Sequence, residues 1–331
     1  MVSLGKICIL GGGTWATALA KLVLMTQKHI NWYMRRNEQV EGFYKLGHNP
    51  DYLRNIKFNL SQIVFYTNIE RAIKDSDTII IAFPSPYIKQ YFRWVWSNNF
   101  KGKTVISALK GIVPGDNVVM SEYMTNNFKV PEENIGVISG PCHAEEVALE
   151  RLSFLTCACK DIEKAKALAE TISPKILRTS ISNDVRGIEL SAVLKNIYAI
   201  GSGICSGLQY GDNFQAVYMT NCAKEMERIL QGITPMERNI CQQHYLGDML
   251  VTGYSQFSRN RTLGTMIGKG YSVKSAQLEM EMIAEGYYGA KCMVAMNQKY
   301  QIDMPIVNTV YNILYSNISP KIAIKNLIEI F

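Results

Sequence analysis

A lysine in the middle of a predicted apolar helix is the first residue of this chain that could do chemistry. Lys195 falls within residues 188–200, where most other side chains are apolar and compatible with a helix. Burying a full positive charge costs free energy unless an anionic group compensates it. Burial also lowers the pKa of a lysine from its free value of about 10.4, so the amine can accept a proton near neutral pH. The alternative is a structural lysine whose charged end reaches solvent from the helix edge.

Two polar clusters further along the chain could hold an anionic substrate. The first comprises Asp248 and Thr252, and the second is the Ser-Arg-Asn-Arg run at 258–261. An arginine can bind a phosphate through two parallel hydrogen bonds, each contributing about 1.5–3 kcal/mol when charge-assisted. Solvent-facing arginines are the common alternative, and the run by itself leaves both interpretations open.

A glycine-rich turn near the start of the chain indicates a dinucleotide site. Gly11, Gly13 and Ala16 form a G-x-G-x-x-A pattern between an apolar run and an alanine-rich helix start. The first glycine permits a tight turn, the second lets the backbone approach a pyrophosphate, and the alanine lets the helix pack closely on the sheet. The amino end of that helix would face the phosphates.

Two adjacent arginines bear on which dinucleotide is used. Arg35 and Arg36 follow the second predicted strand, where an NAD-specific site usually carries an acidic residue for the ribose hydroxyls. An arginine at this point can receive a 2′-phosphate. We therefore expect NADP to be accepted, without an exclusive preference; the alternative is a solvated loop end.

Two other predicted strand ends could also reach a ligand. Lys110 follows one of them, and Gly140-Pro141-Cys142-His143-Ala144 follows another and leads into a helix. The lysine could meet a substrate phosphate or hydroxyl, although a lone lysine is more often solvated. Acidic residues at 145 and 146 suit the first turn of a helix and could serve only as caps.

The elements that must position these residues begin with an alternating half. Short β-branched runs and helical patterns alternate there, as in βαβ units. The predicted strands are Lys6–Leu10, Ile30–Met34, Ile63–Tyr66, Thr78–Phe83, Thr104–Leu109, Ile135–Ser139, Leu155–Ala158 and Lys175–Thr179. The carboxyl ends of parallel strands gather at one sheet edge, which is where doubly wound sheets bind ligands.

The second half carries long helical patterns instead. They lie around 185–203, 212–231, 273–285, 288–299 and 304–316. We therefore predict an α/β, doubly wound Rossmann-type domain over residues 1–184 that binds NAD(P). An all-α substrate-binding and catalytic domain follows over 185–331 and begins with the helix that carries Lys195.

Composition excludes several classes of protein. The chain has 331 residues, 47% of them hydrophobic and 19% charged, which is typical of a two-domain globular protein. A net charge of +7 without a dense basic run argues against nucleic-acid binding. Eight cysteines without CxxC pairs and four histidines without ligand spacing predict free thiols and no metal. We expect a cytoplasmic protein without a membrane span.

The motifs, taken in order, resemble a single family. They are Gly-Gly-Gly-Thr-Trp at 11–15, Lys110-Gly111, Gly140-Pro141-x-x-Ala144-Glu145-Glu146, Gly187-x-Glu189, Leu194-Lys195-Asn196, Gly247-Asp248 and Ser258-Arg259-Asn260-Arg261. Over essentially the whole chain they resemble the NAD(P)-dependent glycerol-3-phosphate dehydrogenases, in particular the bacterial-type soluble enzymes. The Leu-Lys-Asn and Ser-Arg-Asn-Arg elements are far more specific than the glycine loop.

This resemblance implies a reaction and a set of site residues. The reaction is the NAD- or NADP-dependent oxidation of sn-glycerol 3-phosphate to dihydroxyacetone phosphate, and the reverse reduction supplies glycerol 3-phosphate for phospholipid synthesis. Lys195 would accept the proton, oriented by Asp248 and Asn196, with Lys110 as a further catalytic group. Substrate-binding residues would be Lys110, Gly140, Cys142, Lys195, Asn196, Asp248, Thr252, Ser258, Arg259 and Asn260. Cofactor-binding residues would be Gly11, Gly13, Thr14, Trp15, Arg35, Arg36, Phe83, Pro84, Lys110, Ala144, Arg259, Ile283 and Glu285. A homodimer is expected on the same ground.

The sequence also departs from the family pattern. Ala16 replaces the usual third glycine, Cys142 a serine and Phe214 a threonine, and residues 242–246 lack the glycine-rich approach to Gly-Asp. The last change bears on the position of Asp248. Two alternatives stay open: a related hydroxyacid or phosphogluconate dehydrogenase, whose usual GxxGxGxMG start is missing, and an inactive NAD(P)-binding sensor.

Overall fold

The chain divides into two units, each with its own core. The computed structural model describes residues 2–174, 176–280 and 282–331. The sheet unit comprises Met1–Leu109 and Met120–Val185, and the helical unit comprises Lys110–Val119 and Arg186–Phe331. The segment Lys110–Val119 therefore groups with the helices, although it lies within the range predicted for the nucleotide-binding domain. The functional assignment of the ranges 1–184 and 185–331 stays a prediction.

One eight-stranded sheet forms the centre of the sheet unit, with the order β3-β2-β1-β4-β5-β6-β7-β8. The strands are β1 (Ile7–Leu10), β2 (Ile30–Tyr33), β3 (Ile63–Tyr66), β4 (Thr78–Ile81), β5 (Thr104–Ser107), β6 (Ile135–Ser139), β7 (Ser153–Cys159) and β8 (Leu177–Ser182). The order reverses beside β1, between β2 and β4, as in doubly wound folds. The predicted fold class is thereby confirmed.

The far end of the sheet differs from the predicted parallel arrangement. β7 runs antiparallel to β6, and β8 runs parallel to β7. The connection from β6 to β7 holds only a five-residue helix, so the chain turns back along β6 instead of crossing over. The last strand begins at Leu177, later than the predicted Lys175–Thr179, and Lys175 lies outside the described residues.

Seven helices accompany the sheet in the described part of this unit. They are α1 (Thr14–Leu24), α2 (Asn37–Leu46), α3 (Ile69–Lys74), α4 (Ile88–Phe92), α5 (Met120–Phe128), α6 (Ala144–Ala148) and α7 (Ile162–Thr171). The small side chains of Ala16 and Ala20 are fully buried and belong to the apolar core between α1 and the sheet. Ala16 thus provides the close helix packing that the third position of the glycine pattern requires.

The helical unit is built from α8 (Val185–Gly207), α9 (Asp212–Ile233), α10 (Asp248–Tyr254), α11 (Arg259–Gly268), α12 (Val273–Glu279), α13 (Glu285–Tyr300), α14 (Pro305–Tyr315) and α15 (Pro320–Ile328). The single helix predicted over 273–285 is wrong, because α12 ends at Glu279 and α13 begins at Glu285. Periodicity alone did not detect this break, since apolar spacing continues across it. Among the described residues, no helix is long and apolar enough to cross a membrane.

Glycines allow α8 and α11 to approach each other closely. A Cβ atom at Gly203 would overlap the backbone carbonyl of Arg261, and one at Gly264 would overlap the carbonyl of Ile200. Backbone contact of this kind excludes any larger side chain at these positions. It sets the start of α11 beside the middle of α8, where Lys195 lies.

Candidate active site

Lys195 lies in the middle of the most deeply buried helix of the chain. Every residue of α8 from Gly187 to Cys205 is buried, and Lys195 is 2% exposed. Because this stretch of α8 is buried on all sides, the Lys195 side chain does not reach solvent from the helix edge. The structure therefore rejects the alternative of a lysine that reaches solvent. The Lys195 ammonium forms an ion pair with the carboxylate of Asp248, which is equally buried.

Burial is the largest influence on the proton affinity of Lys195. It lowers the pKa of the amine from the usual 10.5 to about 7. The carboxylate of Asp248 opposes this shift, and the positive charge of Lys110 adds to it. An amine with a pKa near 7 can both accept and return a proton at neutral pH.

Asp248 reaches Lys195 from a short irregular turn. Residues Gln243–Gly247 form one π-helical turn, and α10 begins at Asp248. The hydroxyl of Ser191, on α8, donates to the His244 carbonyl at 3.3 Å and ties the turn to that helix. Single π-helical turns are frequent at functional sites. The unusual residues at 242–246 therefore leave the carboxylate of Asp248 paired with Lys195.

Two asparagines link Lys110 to the helices around Lys195. Asn196 donates from Nδ2 to the Lys110 carbonyl at 2.8 Å, and Asn260 donates from Nδ2 to Asn196 Oδ1 at 2.9 Å. The backbone N–H of Gly286 in turn donates to Asn260 Oδ1 at 2.9 Å. Buried amides joined in this way hold their neighbours in one geometry. Gly286 was not among the predicted site residues, and no local pattern marks it.

The Ser-Arg-Asn-Arg run divides into capping and binding roles. Ser258 is buried, and its hydroxyl accepts the Arg261 N–H at 3.3 Å as the N-cap of α11. Arg259 is exposed and donates from Nη1 to the Ile283 carbonyl at 3.3 Å. An exposed guanidinium keeps further N–H groups for an anion. Asn260 contributes to the asparagine network instead of facing solvent.

The helical unit thus gathers most of the predicted substrate residues. Thr252 donates its hydroxyl to the Asp248 carbonyl at 2.6 Å, and Glu285 is the first residue of α13. Gly140 and Cys142 lie in the sheet unit, just after β6. Cys142 is 3% exposed and belongs to the apolar core of that unit. Its role toward substrate stays a prediction.

In the sheet unit, the glycine loop joins β1 to α1 and has the shape that a pyrophosphate requires. Gly11 has φ +133°, and a Cβ atom there would lie 2.7 Å from the Ala82 carbonyl. A Cβ atom at Gly13 would meet nothing within 4 Å, so the space in front of this residue is open. Gly13 is also the N-cap of α1 and provides no capping side chain. A glycine at this position leaves room for a phosphate at the amino end of α1.

Buried side chains donate hydrogen bonds to the backbone carbonyls of the glycine loop. The Trp32 indole N–H donates to the Gly11 carbonyl at 2.7 Å. The Gly12 carbonyl accepts from Gln39 at 2.8 Å and from Asn49 at 3.0 Å. Sequence reasoning missed these donors because they come from β2, α2 and the turn after α2. Only the tertiary structure brings them to the loop.

The other predicted cofactor residues of the sheet unit follow the carboxyl ends of its strands, whereas Lys110, Arg259, Ile283 and Glu285 belong to the helical unit. Thr14 begins α1, half-buried Trp15 follows it, and Ala144 begins α6. Phe83 and Pro84 follow β4. The Phe83 ring stacks on Tyr91 at 4.2 Å.

The two arginines after β2 have different partners. The Arg35 guanidinium lies over the Tyr91 ring at 5.8 Å, whereas Arg36 forms an ion pair with Asp51. Both positions are compatible with the predicted cofactor edge. Within residues 2–174, 176–280 and 282–331, no group of three or more His, Cys, Asp or Glu side chains could hold a metal ion.

A glycine loop with room for a phosphate and a buried lysine–aspartate pair fit the class of nicotinamide-dependent dehydrogenases. Comparisons with known proteins agree. The N-terminal model of NAD-dependent glycerol-3-phosphate dehydrogenase matches residues 6–165, and the C-terminal model matches residues 184–325. The chain therefore belongs to the NAD-dependent glycerol-3-phosphate dehydrogenase family and is an NAD(P)-dependent oxidoreductase.

Individual relatives give the same result. The chain is 32% identical over 326 residues to the glycerol-3-phosphate dehydrogenase (NAD(P)+) of Staphylococcus aureus, covering 98% of both chains. The crystal structure of the Coxiella burnetii glycerol-3-phosphate dehydrogenase matches with a TM-score of 0.89 and 28% identity, covering 98% of this chain and 99% of that one. D-mandelate dehydrogenase in complex with NADH matches 94% of this chain and 98% of its own, with a TM-score of 0.58 and 16% identity. At this identity the likeness shows the fold alone.

Proposed function

We propose that Lys195 is the proton acceptor when this enzyme oxidises sn-glycerol 3-phosphate to dihydroxyacetone phosphate. The observation that carries the proposal is the buried Lys195–Asp248 ion pair, with its lysine pKa near 7. A base of this pKa is half neutral at neutral pH, so it can take the hydroxyl proton. In the reverse direction its ammonium polarises the ketone and returns the proton, and the reduction supplies glycerol 3-phosphate for phospholipid synthesis.

The residues of the helical unit divide the remaining work. Bound NAD(P) supplies the hydride acceptor for oxidation. As the hydride leaves carbon 2, the substrate O–H bond breaks and its proton goes to Lys195 Nζ, leaving the carbonyl of the product. The Asp248 carboxylate then stabilises the ammonium that forms. Lys110, held through its carbonyl by Asn196, keeps a second positive charge near the same point.

The phosphate of the substrate needs a separate cation. Arg259 is exposed, its position is set by the bond to the Ile283 carbonyl, and it begins α11 directly after the Ser258 cap. An arginine at a helix amino end combines a forked donor with the positive end of the helix dipole. We assign the phosphate to Arg259, and the substrate roles of Asn260 and Thr252 stay predictions.

In the sheet unit, we assign the pyrophosphate of the cofactor to the loop at Gly11 and Gly13. The 2′-phosphate of NADP would meet Arg35 and Arg36. A cytoplasmic location belongs to the same proposal, supported by seven buried free cysteines that would persist in a reducing compartment. The homodimer stays a prediction.

The test is the oxidation of NADH and NADPH with dihydroxyacetone phosphate by the wild type and by Lys195→Met. We expect saturable turnover by the wild type and a loss of about 10²–10⁴-fold in the variant, the range for a lost acid–base group. Cofactor binding, measured by fluorescence titration, should be unchanged. Lys164→Met, which removes a lysine paired with Asp161 on the sheet unit, is the matched control and should keep full activity.

Two results would contradict this function. Near-normal turnover by Lys195→Met would reject the lysine as the base. Turnover of a 2-oxo acid in preference to dihydroxyacetone phosphate would indicate a hydroxyacid dehydrogenase instead.

A further inference from the structure

We propose that Asp51 sets the balance between NADP and NAD by holding Arg36 in an ion pair. The inference rests on the role proposed above for Arg36 in receiving the 2′-phosphate. No acidic residue follows β2 directly. Asp51, in the turn after α2, lies beside Arg36 instead.

Asp51 meets Arg36 at the surface of the sheet unit. Arg36 is the N-cap residue of α2 and follows Tyr33, the last residue of β2, by three positions. Its Nη2 pairs with Asp51 Oδ2. The two side chains are 53% and 39% exposed, so solvent and ligands can reach both. Exposed pairs are weak and exchange partners readily, because water screens them.

The position of Asp51 is fixed relative to the glycine loop. Its backbone N–H donates to Asn49 Oδ1 at 3.1 Å. The fully buried Asn49 side chain donates to the Gly12 carbonyl at 3.0 Å and to Thr17 Oγ1 at 2.7 Å. One buried asparagine therefore joins the turn that carries the acid to the loop that would hold the pyrophosphate. These bonds hold the backbone of Asp51 beside the glycine loop.

The chemistry of the two cofactors gives this pair opposite consequences. A 2′-phosphate would compete with Asp51 for the Arg36 guanidinium and would be repelled by the carboxylate. A free ribose 2′-hydroxyl can instead donate to a carboxylate, as it does to the acidic residue of NAD-specific sites. Arg35 differs, because its contact is with the Tyr91 ring. Asp51 thus lowers the affinity for NADP while it tolerates or favours NAD.

The test measures binding without turnover. Isothermal titration calorimetry would compare 2′-phospho-ADP-ribose with ADP-ribose, which lack nicotinamide, on the wild type, Asp51→Asn and Arg36→Ala. We expect Asp51→Asn to bind the phosphorylated ligand about three- to fivefold more tightly, the fold-change that corresponds to a surface ion pair. Affinity for ADP-ribose should stay constant or fall. Asp75→Asn, which removes the acidic partner of Arg71 on the same unit, is the matched control and should change neither.

A double variant makes the outcome decisive. If Asp51 acts through Arg36, the gain from Asp51→Asn should disappear in the Arg36→Ala background, because the two changes are coupled. If Arg36→Ala weakens 2′-phospho-ADP-ribose but Asp51→Asn leaves the ratio unchanged, the inference fails and the proposed role of Arg36 stands. If Arg36→Ala leaves the ratio of the two affinities unchanged, both the inference on Asp51 and the proposed role of Arg36 fail. The test on Lys195 is independent of this result.

Discussion

Two ion pairs of this chain, each between a basic side chain and an aspartate, lie in opposite environments. The Lys195–Asp248 pair is almost completely buried, at 3% and 2% side-chain exposure. The Arg36–Asp51 pair is open to solvent, at 53% and 39%. Both bring one cation to one carboxylate, and in the buried pair desolvation lowers the pKa of Lys195 to about 7.

Burial, more than pairing, brings the pKa of a lysine into the range where the amine can exchange a proton at neutral pH. An exposed pair is screened and contributes about 0–1 kcal/mol, so a ligand can replace either partner. A buried pair has lost its hydration, and the protonation state of the lysine becomes the adjustable quantity. One pair therefore suits proton transfer, and the other suits the selection of a ligand.

The largest expected effect comes from removing the carboxylate of the buried pair. Asp248→Asn should lower turnover by about 10²–10⁴-fold, because the ammonium that forms on Lys195 loses its stabilising charge. The carboxylate raises the pKa of Lys195, so its loss should move that pKa below about 7. The pH profile of kcat/KM for oxidation would then begin to rise at lower pH. An unchanged profile would separate Asp248 from the function of the lysine.

The next effect is on stability as a function of pH. The folded pKa of Lys195 is about 7 and the ordinary value is 10.5. Between these values the unfolded chain binds a proton that the folded chain does not, so the free energy of unfolding gains a contribution that grows with rising pH. The gain should be on the order of a few kcal/mol. Urea unfolding of Lys195→Met near pH 7 and near pH 10 should lack this rise.

A third buried ionisable group, Glu225, should make the free energy of unfolding fall with rising pH, opposite to the effect of Lys195. Glu225 accepts the N–H groups of Ile306 and Val307 at 2.6 and 3.0 Å, and burial raises its pKa from 4.5 to about 7. Its contribution to stability is present below pH 4.5 and is lost as pH rises through about 7. Glu225→Gln should remove this fall, and Glu225→Ala should cost about 1–3 kcal/mol by leaving two N–H groups unpaired. Equal pH slopes in wild type and Glu225→Gln would contradict the assignment.

The smallest effect belongs to the exposed pair. Asp51→Asn should change the free energy of unfolding by less than about 1 kcal/mol, and added salt should abolish the difference. Thermal unfolding at low and high ionic strength measures it. A loss of several kcal/mol would mean that the pair is structural and would weaken the contrast with Lys195–Asp248.

Much of the fold could be predicted from local patterns. The glycine loop, the alternating strands and the helix around Lys195 follow from spacing and propensity within short windows. The break between α12 and α13 and the reversal at β7 could not be predicted, because apolar periodicity does not encode where a chain turns back. The donors that hold the glycine loop, Trp32, Gln39 and Asn49, were missed for a related reason.

The sequence by itself determined the kinds of chemistry that are available: a base, a carboxylate, forked cations and a turn open to phosphate. Tertiary structure decided what each group can do. Burial on all sides of α8 gives Lys195 its pKa, and the capping of α11 occupies the Ser258 hydroxyl. The fold places the carboxylate of Asp51 beside Arg36, although no acidic residue directly follows β2 in the sequence. Solvation and long-range contact, which set these properties, depend on distances in space and not on position along the chain.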